Sequence, residues 1–449
     1  MPIAPVQPPP KPEVTVDANT EGERLTSFFS PVDNLEDQQV QHFTNAQESI
    51  DLAIYTFSSR KVRDLLQAKA LSGVKIRIVI DKGSDAAVLS FVTPLIDAGV
   101  SIRTVSTVMH HKFSVVDGKV LANSSSNMGG SKEYDENLVI CVDCPSRVLA
   151  FQQEFNALFT FSNSVNAQNN EIGLPAGVPG QAVHRNYPDL ALFTSSNFVP
   201  RFSAKSKRIS LVADRLDNGV GRVDKILADA IANARTDVKI ATGHFRSKPL
   251  YDAVAAAVAR GVHVTIVVDG QEYISERNQT KQDGEIESCK TRKAEWECYK
   301  TGSYFSRLLA KAGAEVLLKY YSFRWHFPYS KQMHHKYMII DGQTLYSGSY
   351  NWSYNAEYET TENIAIYSGA SAAELIKNFE SNFNQIRSYG GGPQSIDQRI
   401  ESIRTATSPI PLHFEPVSLR VSQVDQLLEA ARAKCPSMYR NGPEARVCP

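Results

Sequence analysis

Residues 109–118 read MHHKFSVVDG, and residues 333–342 read MHHKYMIIDG. A ten-residue phrase that returns 224 positions later marks an internal repeat, and the repeat decides how the rest of the chain is read. Upstream, SIDLAIYTFSS (49–59) and SGVKIRIVIDKG (72–83) correspond to DVKIATGHFRS (237–247) and RGVHVTIVVDGQ (260–271). Phe57 matches Phe245, Gly73 matches Gly261 and Asp81 matches Asp269, all at an offset of 188. Each copy predicts a strand, an amphipathic helix closed by glycine, and a second strand. IRIVID and VTIVVD are nearly continuous apolar runs, as strands covered on both faces require. LIDAGVSIRTV (95–105) then aligns with LLAKAGAEVLLKY (308–320), helix end to strand. The fold class is therefore α/β, with a sheet in each half.

The offset grows by 36 between these segments and the phrase. Most of the extra residues fall in the polar stretch 272–302, and the rest in KYYSFRWHFPYSKQ (319–332). The expected organisation is a Pro-rich extended leader at 1–20 and two α/β halves at 21–190 and 191–400. A tail at 401–449 carries one short helix and a Cys435–Cys448 loop.

Composition narrows the class. The 449 residues carry 48 Lys+Arg against 48 Asp+Glu, so no strong global field favours a polyanion. No apolar run reaches the roughly 18 residues of a membrane helix. The leader has no apolar signal core, and such segments often follow a removed signal or lipid anchor. The six cysteines pair by proximity as Cys141 with Cys144, Cys289 with Cys298, and Cys435 with Cys448. That predicts three local disulfides and a periplasmic or secreted location. Zinc-finger spacing is absent.

The phrase has a chemical logic. Asp117-Gly118 and Asp341-Gly342 sit between apolar runs and predict tight hairpins. Alternation along a strand puts His110 and Lys112 on one face and His111 on the other. The return strands bring Ser125 and Asn127, and in the second copy Ser349 and Asn351, beside His110/Lys112 and His334/Lys336. An imidazole, an ammonium, a hydroxyl and a carboxamide on one surface suit a phosphate group. Glu136 and Glu362 open later strands, and a carboxylate on one ring nitrogen fixes a histidine's tautomer and raises its basicity. Asp117 and Asp341 are expected to hold the hairpins, and His111, His335 and His244 to pack in the core.

H-x-K-x4-D followed by G-S-x-N and a later Glu-Asn resembles the phospholipase D superfamily, over roughly residues 25–385. The resemblance implies two tandem α/β/α sandwich domains related by a pseudo-two-fold axis, with one shared active site in a monomer. It implies a phosphohistidine intermediate, with His110 as nucleophile and His334 as acid, and neither metal nor cofactor. Ser124 stands where the family has glycine. GSYNWSYNAE (348–357) is similar to the bacterial endonuclease branch. Tyr321, Arg324 and Trp325 lie in a segment mixing aromatic and basic residues, which suits base stacking on a single-stranded nucleic acid. The same mixture suits a membrane interface, so a nuclease is expected first and an enzyme on phospholipids second.

Overall fold

The computed structural model describes residues 20–81, 86–129, 135–165, 186–203, 205–206, 208–214, 222–270, 276–293, 295–299, 303–322, 332–389, 396–405 and 413–434. It contains two eight-stranded sheets of matching design. The first runs, edge to edge, 24–29, 137–142, 120–124, 112–116, 49–54, 75–80, 101–104, 163–164. The second runs 191–193, 363–368, 344–348, 336–340, 237–242, 263–269, 315–322, 413–420. In each, the three strands of the βαβ units pair in parallel, and the motif strand adds antiparallel to the first of them.

The central strands alternate between two apolar environments. Ile50, Leu52 and Ile54 pack with Val62 and Leu66 of the helix Arg60–Leu71. Ala53 and Val79 face the opposite core with Phe151 and Phe155 of the helix Pro145–Thr160. Helices therefore cover both faces of the sheet, which is why the strands read as unbroken apolar runs. Ser59 and Ser247 cap the helices Arg60–Leu71 and Lys248–Ala259, and the predicted glycine stops Gly73 and Gly261 have φ of +99° and +86°. The inner core is common to both halves: Phe113, Val139 and Phe151 share it with Tyr337, Ile339 and Phe379.

Two segments differ from the sequence reading. His413–Arg420, assigned there to the tail, is the edge strand of the second sheet, followed by the helix Val421–Lys434. An edge strand needs only one partner, so it tolerates Pro416 and lacks the apolar run of a central strand. The polar insert also holds a helix, Glu276–Lys290. Cys141–Cys144 and Cys289–Cys298 are disulfides. The predicted Cys435–Cys448 pair lies outside the described residues. Among the described residues no helix is long and apolar enough to cross a membrane.

Candidate active site

The two Asp-Gly turns fix the motif strands. Asp117 and Asp341 both take φ of +53°, and Gly118 and Gly342 both take +62°, as a tight hairpin turn requires. The Asp117 carboxylate accepts from the backbone N–H groups of Gln47, Glu48 and Ser49, and Asp341 from those of Arg235, Thr236 and Asp237. Each aspartate thus ties its hairpin to the start of the neighbouring strand, and these bonds hold its carboxyl below the usual range against the opposing effect of burial.

His110 and His334 sit just before the motif strands Lys112–Val116 and Lys336–Ile340. Their partners come from the opposite half. His334 Nδ1 lies 2.7 Å from Glu136 Oε1, and His110 Nδ1 lies 3.2 Å from Glu362 Oε1. The backbone repeats the exchange: His334 N–H donates to Asp135 C=O, and His110 N–H to Thr361 C=O, both at 2.9 Å. So do the second histidines of the phrase. His335 Nδ1 lies 3.2 Å from Asn137 Oδ1, and His111 Nδ1 lies 3.0 Å from Asn363 Nδ2. His111 and His335 are fully buried, His111 also against Glu154, which matches the packing role expected of them.

Lys112 and Lys336 are buried, and each donates to the carbonyl of its own histidine at 3.0 Å. Burial holds Lys112 well below the usual lysine range, with Lys336 adding repulsion, and it pushes Lys336 down to about 8. Burial pushes the Glu136 and Glu362 carboxyls up to about 7, against the pull of both ammonium groups. It also holds both catalytic-candidate histidines well below their ordinary value, and the lysines add to the effect. Two lysines and two glutamates are therefore gathered around two imidazoles, and burial disfavours the charged form of each. The histidine side chains are 11% and 19% exposed, so each imidazole keeps only a small face toward solvent.

Ser125 and Ser349 are buried and accept the backbone N–H of Asn137 and Asn363 at 3.0 Å, which fixes the strands that follow the glutamates. The Asn351 amide lies 3.3 Å from His110 Nδ1 and 3.4 Å from Glu362 Oε1. Asn127 donates its backbone N–H to Glu136. The departure at Ser124 has a local explanation. A Cβ at Gly348 would collide with the Asn363 carbonyl. In the first half the Ser124 hydroxyl donates to the equivalent carbonyl, of Asn137, at 2.7 Å, and accepts from Ser126 N–H at 2.8 Å. Arg324 and Trp325 lie outside the described residues, as does the side chain of Tyr321.

Sequence reasoning missed three participants. Asp81 and Asp269 accept the N–H of Met109 and Met333, the residues preceding the histidines, at 2.8 and 2.6 Å. Their match at offset 188 was the available signal. Tyr55 has its ring 4.7 Å from that of His110, with Lys112 Nζ 5.1 Å from its centroid. Its counterpart in the second half is Gly243, so the repeat gave no hint of it.

Below the Asn351 loop lies a buried acidic pair. The Tyr350 hydroxyl is 2.8 Å from Asp224 Oδ1 and 3.0 Å from Glu357 Oε2. One hydroxyl proton serves only one carboxylate, so the second contact needs a proton on a carboxyl. Burial and mutual repulsion raise Asp224 well above the usual range, and burial raises Glu357. A raised folded-state pKa contributes stability that is fully present below the unfolded value and is lost as pH rises through the folded one. The pair's share of the unfolding free energy, read from urea titrations as wild type minus Asp224→Asn, should therefore fall as pH climbs above about 4. A difference that stays constant with pH would show that the pair shares no proton.

The chain belongs to the phospholipase D-like family described as "Cardiolipin synthase, PLD-like domain", matched over residues 40–159 and 227–387. It is 38% identical over 120 residues to the mitochondrial cardiolipin hydrolase of Xenopus tropicalis, covering 25% of this chain and 56% of that protein. To the Danio rerio protein of the same name it is 31% identical over 132 residues, covering 28% and 58%. The chain thus spans little more than half the length of these relatives. Among solved structures, the phosphatidylserine synthase of Haemophilus influenzae Rd KW20 shares the fold, with a TM-score of 0.52 at 14% identity over 81% of this chain and 86% of that one.

Proposed function

We propose that the protein is a metal-independent phosphodiesterase working by double displacement across His110 and His334. The observation that carries this is the pair of histidine–glutamate contacts made between halves, beside two buried lysines. A carboxylate accepting from Nδ1–H leaves the lone pair on Nε2, the form a nucleophile needs. His110 attacks phosphorus, the bond to the leaving oxygen breaks, and His334, protonated once the anionic diester offsets the two lysines, gives that oxygen its proton. Water then loses a proton to His334 and attacks phosphorus, releasing His110. The shorter contact at Glu136 supports the acid role for His334, because it stabilises the imidazolium. Lys112 and Lys336 supply the charge that the phosphoryl oxygens require, and Ser125, Ser349, Asn127 and Asn351 are the proposed hydrogen-bonding partners around them.

The substrate reading we favour is a phospholipid diester. The matched family and the relatives carry lipid names. Cleavage of single-stranded nucleic acid is the second reading, supported by the aromatic and basic residues of 319–331. The two disulfides fit an oxidising compartment.

The test is a side-by-side assay on cardiolipin and phosphatidylcholine vesicles, single-stranded DNA, duplex DNA and RNA, with and without EDTA. Lipid turnover is expected, unchanged by the chelator. Loss of activity in EDTA with rescue by magnesium or zinc would refute the mechanism. Turnover of single-stranded DNA alone, weakened by Trp325→Ala, would move the nuclease reading to first place.

A further inference from the structure

The Cys141–Cys144 disulfide has a neighbour that the sequence does not suggest. A Glu23 carboxylate oxygen and the two sulfurs all lie within 4.8 Å of one another, and all three residues are buried. Cys141 belongs to the strand Asn137–Val142, and Cys144 precedes the helix Pro145–Thr160. Glu23 is also held by Arg147, whose Nε and Nη2 lie 3.2 and 3.0 Å from its two carboxylate oxygens. The Arg147 Nη1 donates to Leu190 C=O at 2.9 Å and to Ile366 C=O at 2.7 Å, and its guanidinium lies 4.4 Å from the Tyr367 ring centroid.

We propose that this cluster is a redox-gated site for a thiophilic divalent cation, Zn2+. A dithiol reductant gives two electrons and two protons to the disulfide, becoming a disulfide itself and leaving Cys141 and Cys144 as thiols. Zn2+ then displaces both thiol protons to solvent and takes two thiolates and one Glu23 oxygen, with water as fourth ligand. Charge favours this. In the oxidised state Glu23 and Arg147 already form a neutral buried pair. Adding Zn2+ together with two thiolates keeps the cluster neutral, so no uncompensated charge enters the core. Each Glu23 oxygen bonded to Arg147 retains a second lone pair for the metal. The metal would bridge the strand Asn137–Val142, which directly follows Glu136, to the helix carrying Glu154.

The test uses the full chain reduced with tris(2-carboxyethyl)phosphine, which takes up the disulfide's oxidising equivalents as its phosphine oxide. The reduced protein is equilibrated with Zn2+, desalted and analysed for metal. A variant with serine at 289, 298, 435 and 448 removes the other cysteines. We expect one zinc per chain in that variant, none without reduction, and none when Cys141 and Cys144 are also serine. Glu23→Gln should weaken zinc binding at least tenfold. Cobalt substitution reads the same site independently, through thiolate-to-metal absorption and the d–d bands of a tetrahedral ion. No retained zinc in the reduced four-serine variant, with circular dichroism showing it folded, overturns the proposal. So does equal zinc retention after Cys141 and Cys144 are replaced.

Discussion

Replacing either His110 or His334 with alanine is expected to lower turnover of a simple phosphodiester by roughly four to six orders of magnitude, since residues that act as a unit fail together. The two variants should fail differently. With bis(p-nitrophenyl) phosphate the leaving group is activated and needs little help from an acid. His334→Ala should then still form the covalent intermediate on His110, giving a burst of p-nitrophenolate close to one per enzyme followed by slow release. Mass spectrometry after an alkaline quench should find the modification on a peptide containing His110. His110→Ala should give no burst and no adduct. An adduct on His334, or a burst in His110→Ala, would reverse the assigned roles. Activity retained at the wild-type level in either variant would end the double-displacement mechanism itself.

The second large effect concerns the exchange of glutamates between halves. Glu136→Gln should reduce turnover by about 10- to 100-fold, the usual consequence of removing the carboxylate that orients a working histidine. The defect should resemble that of His334, in the other half, and not that of His110. Glu136→Gln should therefore keep the burst with the activated substrate and slow the later hydrolysis, whereas Glu362→Gln should slow the burst. The pH dependence follows from the raised carboxyls. Burial brings Glu136 and Glu362 up to about 7. As pH falls through that value they gain protons and no longer accept from the histidine Nδ1–H, so kcat/KM should decline on the acid side of about 7. Replacing both glutamates with glutamine should remove that limb. A limb that persists unchanged in the double variant would place the titration on another group.

How much of this was legible in the sequence varies by residue. The hairpins were, because Asp-Gly between apolar runs leaves a chain few conformations, and Asp117 and Asp341 occupy the one expected. The parallel strands were, because IRIVID and VTIVVD are too apolar for anything but burial on both faces. The edge strand at 413–420 was not, since an edge strand carries a weak pattern and Pro416 argues against pairing. Tyr55 was not, because the repeat that exposed the other site residues has Gly243 in its place.

The sequence by itself determined the repeat, the α/β class, the two histidine–lysine pairs and the carboxylates that accompany them, because each depends on residue type and local spacing. Only the tertiary structure decided which carboxylate serves which histidine. Glu136 and His334 are 198 residues apart, and Glu362 and His110 are 252 apart. Sequence proximity favours the partner in the same half. The two sheets pack through a common core, and that packing brings the end of each glutamate strand to the other half's histidine. The contact of Glu23 with the Cys141–Cys144 pair has the same origin. It arises because the strand Arg24–Phe29 pairs with Asn137–Val142, a neighbourhood fixed by long-range strand pairing that local spacing does not encode.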